Sequence, residues 1–358
     1  MSERNQDLAQ IGQSIWVDNI TRQMLDEGTL ERYIRDYFVT GLTSNPTIFD
    51  KAISGGDDYR EQIRELAARG ESPEETFFTL ALEDLGRAAG LFGKVHERTD
   101  QVDGWVSLEV SPLLADDTEG TVEQAVELHA RADLENLLIK IPGTEAGLRA
   151  IEEVIFRGVP VNVTLLFSPE QYLAAADAYM RGVERRVEAG LNPAIGSVAS
   201  LFVSRWDAAV IDEVPDSLRG RLGLAIGQRT YAAYRELIAG ERAQRLANEG
   251  ARTQRLLMAS TGTKDPEASD VLYVEGLAAP NTVNTMPEGT LLAFADHGQV
   301  SGPIPPDGGD SGEVLAAYTE AGFDLSELAA RLQTEGKQAF IDSWEALISS
   351  ITGELSAA

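Results

Sequence analysis

Short runs of β-branched and aliphatic residues alternate along this chain with longer stretches whose apolar positions recur at helical spacing. The runs predict strands at Ile15–Asp18, Val39–Asn45, Trp105–Val110, Leu137–Pro142, Pro160–Leu166, Ala194–Ser200, Arg255–Ser260 and Asn281–Met286. Helices are predicted over Gln124–Ala132, Glu145–Ile155, Pro169–Ala189 and Ser217–Ala247. Two more fill Ser54–Gly90, one of them opening at Ser72-Pro73 with an N-cap serine and a proline at the first helical position. Eight strands separated by helices predict one α/β domain over residues 1–358, a single (β/α)8 TIM barrel. A Pro- and Gly-rich loop is expected at 302–312. Helices within 313–358, including Gly336–Ile351 with Phe340, Trp344, Leu347, Ile348 and Ile351 on one face, are expected to pack on the barrel.

A second pattern lies inside the strands. Parallel strands covered on both faces usually read as unbroken apolar runs, and several here do not. Leu137, Ile139 and Ile141 share one parity, while Lys140 lies on the other with Leu138. Val106, Leu108 and Val110 oppose Ser107 and Glu109; Val161, Val163 and Leu165 oppose Asn162 and Thr164; Ile15 and Val17 oppose Trp16 and Asp18. Each strand thus offers an apolar face to helices and places a polar group late on the other face, where a barrel opens at its C-terminal mouth. An antiparallel sheet with one wet face gives the same alternation, but the long helical spacers require crossovers rather than hairpins.

Lysine is scarce: Lys51, Lys94, Lys140, Lys264 and Lys337 are the whole set, and only Lys140 sits in an apolar strand. Burial disfavours an ammonium, and a nucleophilic amine must be neutral. Such an amine condensed with a ketone is an electron sink that permits C–C cleavage without a metal. A lysine snorkelling from a strand end is the bland alternative. Asp18 and Glu109 on the same lining favour chemistry.

Composition narrows the choice. The chain has no cysteine, which removes disulfides, thiolate nucleophiles and cysteine-held metals. His96, His129 and His297 are widely spaced and read as surface or loop positions, so neither a metal nor a cofactor is expected. The net charge of −28 disfavours nucleic acid and anionic membranes as partners. It also means that a phosphate site needs local cations. No apolar run approaches the roughly 18 residues of a membrane span, and Met1–Gln13 lacks a signal-like apolar stretch, so a cytoplasmic protein is expected.

Six segments together resemble transaldolase, in the longer bacterial form of that family. They are Ile15-Trp-Val-Asp18, Gly41-Leu-Thr-Ser-Asn-Pro-Thr47, Val106-Ser-Leu-Glu109, Ile139-Lys-Ile-Pro142, Val161-Asn-Val-Thr-Leu-Leu-Phe167 and Ala279-Pro-Asn-Thr-Val-Asn-Thr-Met-Pro287. The resemblance implies a class I aldolase-type barrel. Such an enzyme moves a dihydroxyacetone unit from sedoheptulose 7-phosphate or fructose 6-phosphate to glyceraldehyde 3-phosphate or erythrose 4-phosphate, within the pentose phosphate pathway. It further implies a Schiff base on Lys140, acid/base work by Asp18, and a proton-shuttling water held by Glu109 and Thr164. Asn45 and Asn162 would orient donor hydroxyls. Ala199-Ser-Leu-Phe-Val-Ser-Arg205 resembles the segment that supplies a serine and an arginine near phosphate, assigning Ser200 and Arg205. Where the shorter subfamily has a second phosphate arginine, this chain has Ala259-Ser-Thr-Gly-Thr-Lys264, so Lys264 takes that place. Pro142-Gly-Thr-Glu-Ala-Gly147 lacks the GK[ST] of a P-loop and reads as an ordinary turn. The expected partners are sugar phosphates, on a monomer or homodimer. Competing readings are an aldolase that releases free dihydroxyacetone, a metal-dependent aldolase, and a non-catalytic sugar-phosphate-binding barrel.

Overall fold

All eight predicted runs form strands in the computed structural model, which describes residues 2–357. They are β1 (Gln13–Asp18), β2 (Val39–Thr43), β3 (Val106–Glu109), β4 (Leu137–Pro142), β5 (Val161–Leu166), β6 (Ser197–Phe202), β7 (Arg255–Ala259) and β8 (Thr282–Met286). Every pairing is parallel, in the order β2-β1-β8-β7-β6-β5-β4-β3. The two ends of that order meet. Leu42 N donates to Trp105 O at 2.9 Å and Gly104 N to Thr40 O at 2.8 Å, which closes the sheet into a (β/α)8 barrel.

Helix starts at the mouth are written in the sequence. Asn45, Asp117, Thr144 and Ser168 follow β2, β3, β4 and β5, and each side chain accepts a hydrogen bond from a backbone N–H of the helix it opens. Such a cap contributes about 1 kcal/mol and fixes where the chain turns away from the strand end. At the other end of the barrel Asp103 accepts from Trp16 Nε1 at 2.6 Å and Thr40 Oγ1 at 2.9 Å, and Arg255 donates to Thr282 O at 2.8 Å. Gly41 lies against the Trp16 indole; a Cβ there would come within 2.5 Å of the ring.

Several boundaries differ from the sequence reading. β6 begins at Ser197 rather than Ala194, because Gly196 is threaded past the Trp105 ring, which leaves no room for a side chain. The stretch Ser217–Ala247 is two helices, Leu222–Ala239 and Glu241–Asn248, broken where Gly240 adopts an extended backbone. Pro73–Arg98 runs past Gly90, carried by buried Phe92 and Val95. Ser311–Glu320 starts inside the expected loop, and the C-terminal helix extends over Leu325–Ala357 because Leu328, Ala329 and Leu332 continue its buried stripe. His96 is buried, not superficial, with its edge against Trp105 and Nδ1 2.8 Å from Asp103 O. Among the described residues no helix is long and apolar enough to cross a membrane.

The C-terminal helix is seated on the helices that follow β2. Trp344 packs edge-on to Phe77 and beside Phe78, and Thr47 and Ser343 share a hydrogen bond of 2.7 Å. That seat brings the helix to the barrel mouth.

Candidate active site

Parallel pairing places the late inward residues of neighbouring strands side by side. Glu109 on β3 is level with Lys140 on β4, which is level with Asn162 on β5. Lys140 Nζ lies 3.0 Å from Glu109 Oε2, an ion pair without the alignment of a hydrogen bond, and donates to Ser44 O at 2.8 Å. Both side chains are sealed in, at 5% exposure for Lys140 and 3% for Glu109. Glu109 Oε1 and Thr164 Oγ1 are buried without a protein hydrogen-bond partner. Oxygens so placed carry a desolvation penalty unless something else satisfies them.

A cavity of about 290 Å³ opens above Lys140, walled by Asp18, Asn45, Thr164, Ser200, Arg205 and Lys264 among others. Asp18 accepts from Thr43 Oγ1 at 2.6 Å, and Thr43 in turn meets Thr285 Oγ1 at 2.7 Å. Burial pushes the Asp18 carboxyl above the usual carboxylate range, against the pull of Lys140, Thr43 and Lys264. Burial does the same to Glu109; Lys140 opposes it and the charge of Asp18 adds to it. Two carboxyls that hold protons more readily than usual thus act on one amine, an arrangement suited to proton transfer.

The cavity reverses the charge of the molecule. Its wall carries four cations, Lys51, Lys140, Arg205 and Lys264, against the single carboxylate of Asp18, in a chain of net charge −28. Arg205 has no hydrogen-bond or ion-pair partner among the described residues; its guanidinium lies 5.4 Å from the Phe202 ring centroid. An unpaired guanidinium beside two lysines is suited to an anion such as phosphate.

The expected site residues are therefore together, though not all on the cavity surface. Asp18, Asn45, Lys140, Thr164, Ser200, Arg205 and Lys264 line it, whereas Glu109 and Asn162 lie behind the wall. Ser200 spends its hydroxyl on Asn162 Oδ1 at 2.7 Å, deep in the barrel, and Asn162 Nδ2 donates to Ser107 Oγ at 3.2 Å. Asn45 Oδ1 caps the helix Pro46–Ser54 by accepting from Ile48 N at 3.0 Å. The sequence reading did not single out Lys51, Thr43, Phe202, Ser260, Thr285 or Phe340, which also line the cavity. The scarcity of lysine was a usable signal for Lys51, on the helix opened by Asn45-Pro46. Among the described residues no three His, Asp or Glu side chains come together as a metal site.

A larger depression, about 820 Å³, lies at the N-terminal end of the barrel beside Asp103, Trp105, Arg252 and Arg255. Its Asp103 and Arg255 are bonded to each other's neighbours, Ser14 above all, so it reads as the plugged base of the barrel.

Comparisons with known proteins agree with this geometry. A family model described as Transaldolase/Fructose-6-phosphate aldolase matches residues 15–351. A protein named transaldolase from Saccharopolyspora erythraea is 46% identical over 97% of this chain and 96% of its own length. Proteins of the same name from Mycolicibacterium smegmatis and Thermobifida fusca are each 45% identical over 98% of this chain, covering 97% and 98% of their own lengths.

Proposed function

The chain belongs to the transaldolase/fructose-6-phosphate aldolase family and is an enzyme of transaldolase function, and from that premise we propose a role for each residue of the site. The observation that carries the proposal is a buried lysine amine, 3.0 Å from a buried carboxylate, at the foot of a cation-walled cavity.

Lys140 Nζ attacks the keto carbon of a ketose phosphate. Glu109, beside the amine, takes up its proton and returns one to the departing hydroxide of the carbinolamine. The free oxygens of Glu109 and Thr164 support this reading, since they are available to hold the water that relays these protons. Loss of water leaves an iminium on Lys140. Asp18 then removes the proton of the C4 hydroxyl, the C3–C4 bond breaks, and its electron pair flows into the iminium to give an enamine. The aldose phosphate leaves. An aldose phosphate acceptor takes its place, the enamine carbon attacks its carbonyl carbon, Asp18 returns the proton, and hydrolysis frees the new ketose phosphate. Arg205, Lys264 and Lys51 hold the phosphate, offsetting the repulsion of an acidic surface. Asn45 orients donor hydroxyls from the cavity wall, and Asn162 acts on them from behind it through Ser200, whose hydroxyl donates to it. On this reading the enzyme works in the cytoplasm within the pentose phosphate pathway, without a cofactor, as a monomer or homodimer.

The test is covalent trapping. Fructose 6-phosphate followed by borohydride should leave a reduced dihydroxyacetone adduct on the peptide containing Lys140, found by mass spectrometry. Lys140→Met should abolish adduct and turnover together. An adduct on Lys264, or activity retained by Lys140→Met, refutes the mechanism.

A further inference from the structure

The C-terminal helix contributes no strand to the barrel, yet one of its faces reads onto the cavity. Gln333 Nε2 donates to Gly143 O at 3.1 Å, just beyond β4, and to Leu165 O at 3.0 Å, near the end of β5. Leu165 holds a left-handed backbone, φ 60°, which is costly for a branched side chain and needs such support. One turn on, Gly336 sits against Arg205; a Cβ there would lie 3.2 Å from Nη1. One turn further, Phe340 is 5% exposed and lines the cavity, its ring centroid 5.7 Å from Lys140 Nζ.

We infer that Phe340 is a specificity-determining residue: its ring roofs Lys140 so that the covalent three-carbon unit passes to an aldose acceptor instead of leaving as free dihydroxyacetone. The inference rests on the Schiff-base reading of Lys140. After C3–C4 cleavage the enamine has two fates. It can form a new C–C bond to the acceptor carbonyl carbon. Alternatively its carbon takes a proton, water adds to the resulting iminium, the C–N bond breaks, and dihydroxyacetone leaves with the amine restored and the proton returned. The second route needs only a proton and a water molecule. An aromatic ring supplies neither, and on the cavity side of Lys140 it limits the entry of water beyond the one relay water proposed at Glu109 and Thr164.

The experiment measures free dihydroxyacetone against transfer product in the full chain, with fructose 6-phosphate as donor and erythrose 4-phosphate as acceptor. Phe340→Ala should raise that ratio by about tenfold, while borohydride still traps an adduct at Lys140. Phe340→Leu keeps an apolar cover, folds without a large cavity, and should raise it by about threefold. Trp344→Phe loosens the seat of the same helix away from the cavity and should leave the ratio unchanged. The inference is overturned if both Phe340 variants trap normally at Lys140 with an unaltered ratio, or if Trp344→Phe shifts it as far as Phe340→Ala does. Absence of any Lys140 adduct in the unaltered chain would instead refute the Schiff-base reading and the inference with it.

Discussion

Replacing Lys140 with Met should steepen a dependence of stability on pH that the parent already has. The substitution removes a 3.0 Å approach to Glu109 and a 2.8 Å bond to Ser44 O, leaving a carboxyl group that is 3% exposed without its cation. Breaking one side of a buried pair costs about 3–5 kcal/mol. Part of that cost is recoverable. Burial already pushes the Glu109 carboxyl up and Lys140 is the chief influence holding it down, so without Lys140 it rises further. Asp18 moves in the same sense, having Lys140 as its main opposing charge. A carboxyl whose folded pKa lies above its unfolded value binds its proton more tightly in the folded state. Its penalty is absent below the unfolded value, near 4, and grows as pH rises through the folded one. Urea unfolding of parent and variant should show a deficit of about 3–5 kcal/mol near pH 8 that is smaller near pH 5.5. Adding Glu109→Gln to the variant should restore much of the stability at the alkaline end and flatten the pH dependence. A deficit equal at both pH values, or no rescue by Gln, would show that an unpaired buried charge is not what the lysine prevents.

The other predictions concern the phosphate end, the division of the carboxylates and the barrel base. Arg205→Ala should raise KM for phosphorylated donors by about tenfold or more, the loss expected for a charge-assisted contact of about 1.5–3 kcal/mol, while sparing free fructose or dihydroxyacetone. Equal losses on both substrate types would remove Arg205 from the phosphate site. Asp18→Ala should cripple cleavage yet still allow trapping at Lys140, whereas Glu109→Ala should slow trapping itself; identical trapping rates would mean the roles are wrongly divided. Gly41→Ala should lower stability by about 1–3 kcal/mol, because its Cβ would press on the Trp16 ring. A thermal melt unchanged from the parent would show that the indole moves aside at no cost.

What the sequence revealed follows from which periods are rigid. Strand parity has period two, so once the Leu137–Pro142 run is taken as a strand, Lys140 must share a face with Leu138, and parallel neighbours bring Glu109 and Asn162 alongside. The cap at Ser72 was legible because Ser-Pro leaves the backbone few choices, whereas Asn45, read as the end of a strand, instead caps the next helix. Phe340 was hidden by its own stripe: beside Trp344 and Leu347 it reads as core, and nothing local says which core it enters. Gly336 becomes informative only when Arg205, far away in sequence, is found beside it. Ser200 was assigned near the phosphate by the resemblance of the segment Ala199–Arg205; it lines the cavity, and its hydroxyl donates to Asn162 Oδ1, a partner that the sequence does not announce.

The closure between β2 and β3 has one further consequence. It rests on two backbone hydrogen bonds and no continuous ladder, so it is a seam along which amide protons should exchange with solvent before those of the paired strands. Two other ties cross the same seam, Ser44 Oγ to Ser107 O at 2.7 Å and Lys140 Nζ to Ser44 O at 2.8 Å. The amine is therefore a fastener as well as a nucleophile. On the proposed chemistry the iminium nitrogen keeps a single N–H, so it can hold the Ser44 carbonyl or turn that proton toward Glu109, but not both. The tie across the seam thus hangs on one proton during turnover, and on an amine with several when the lysine is free.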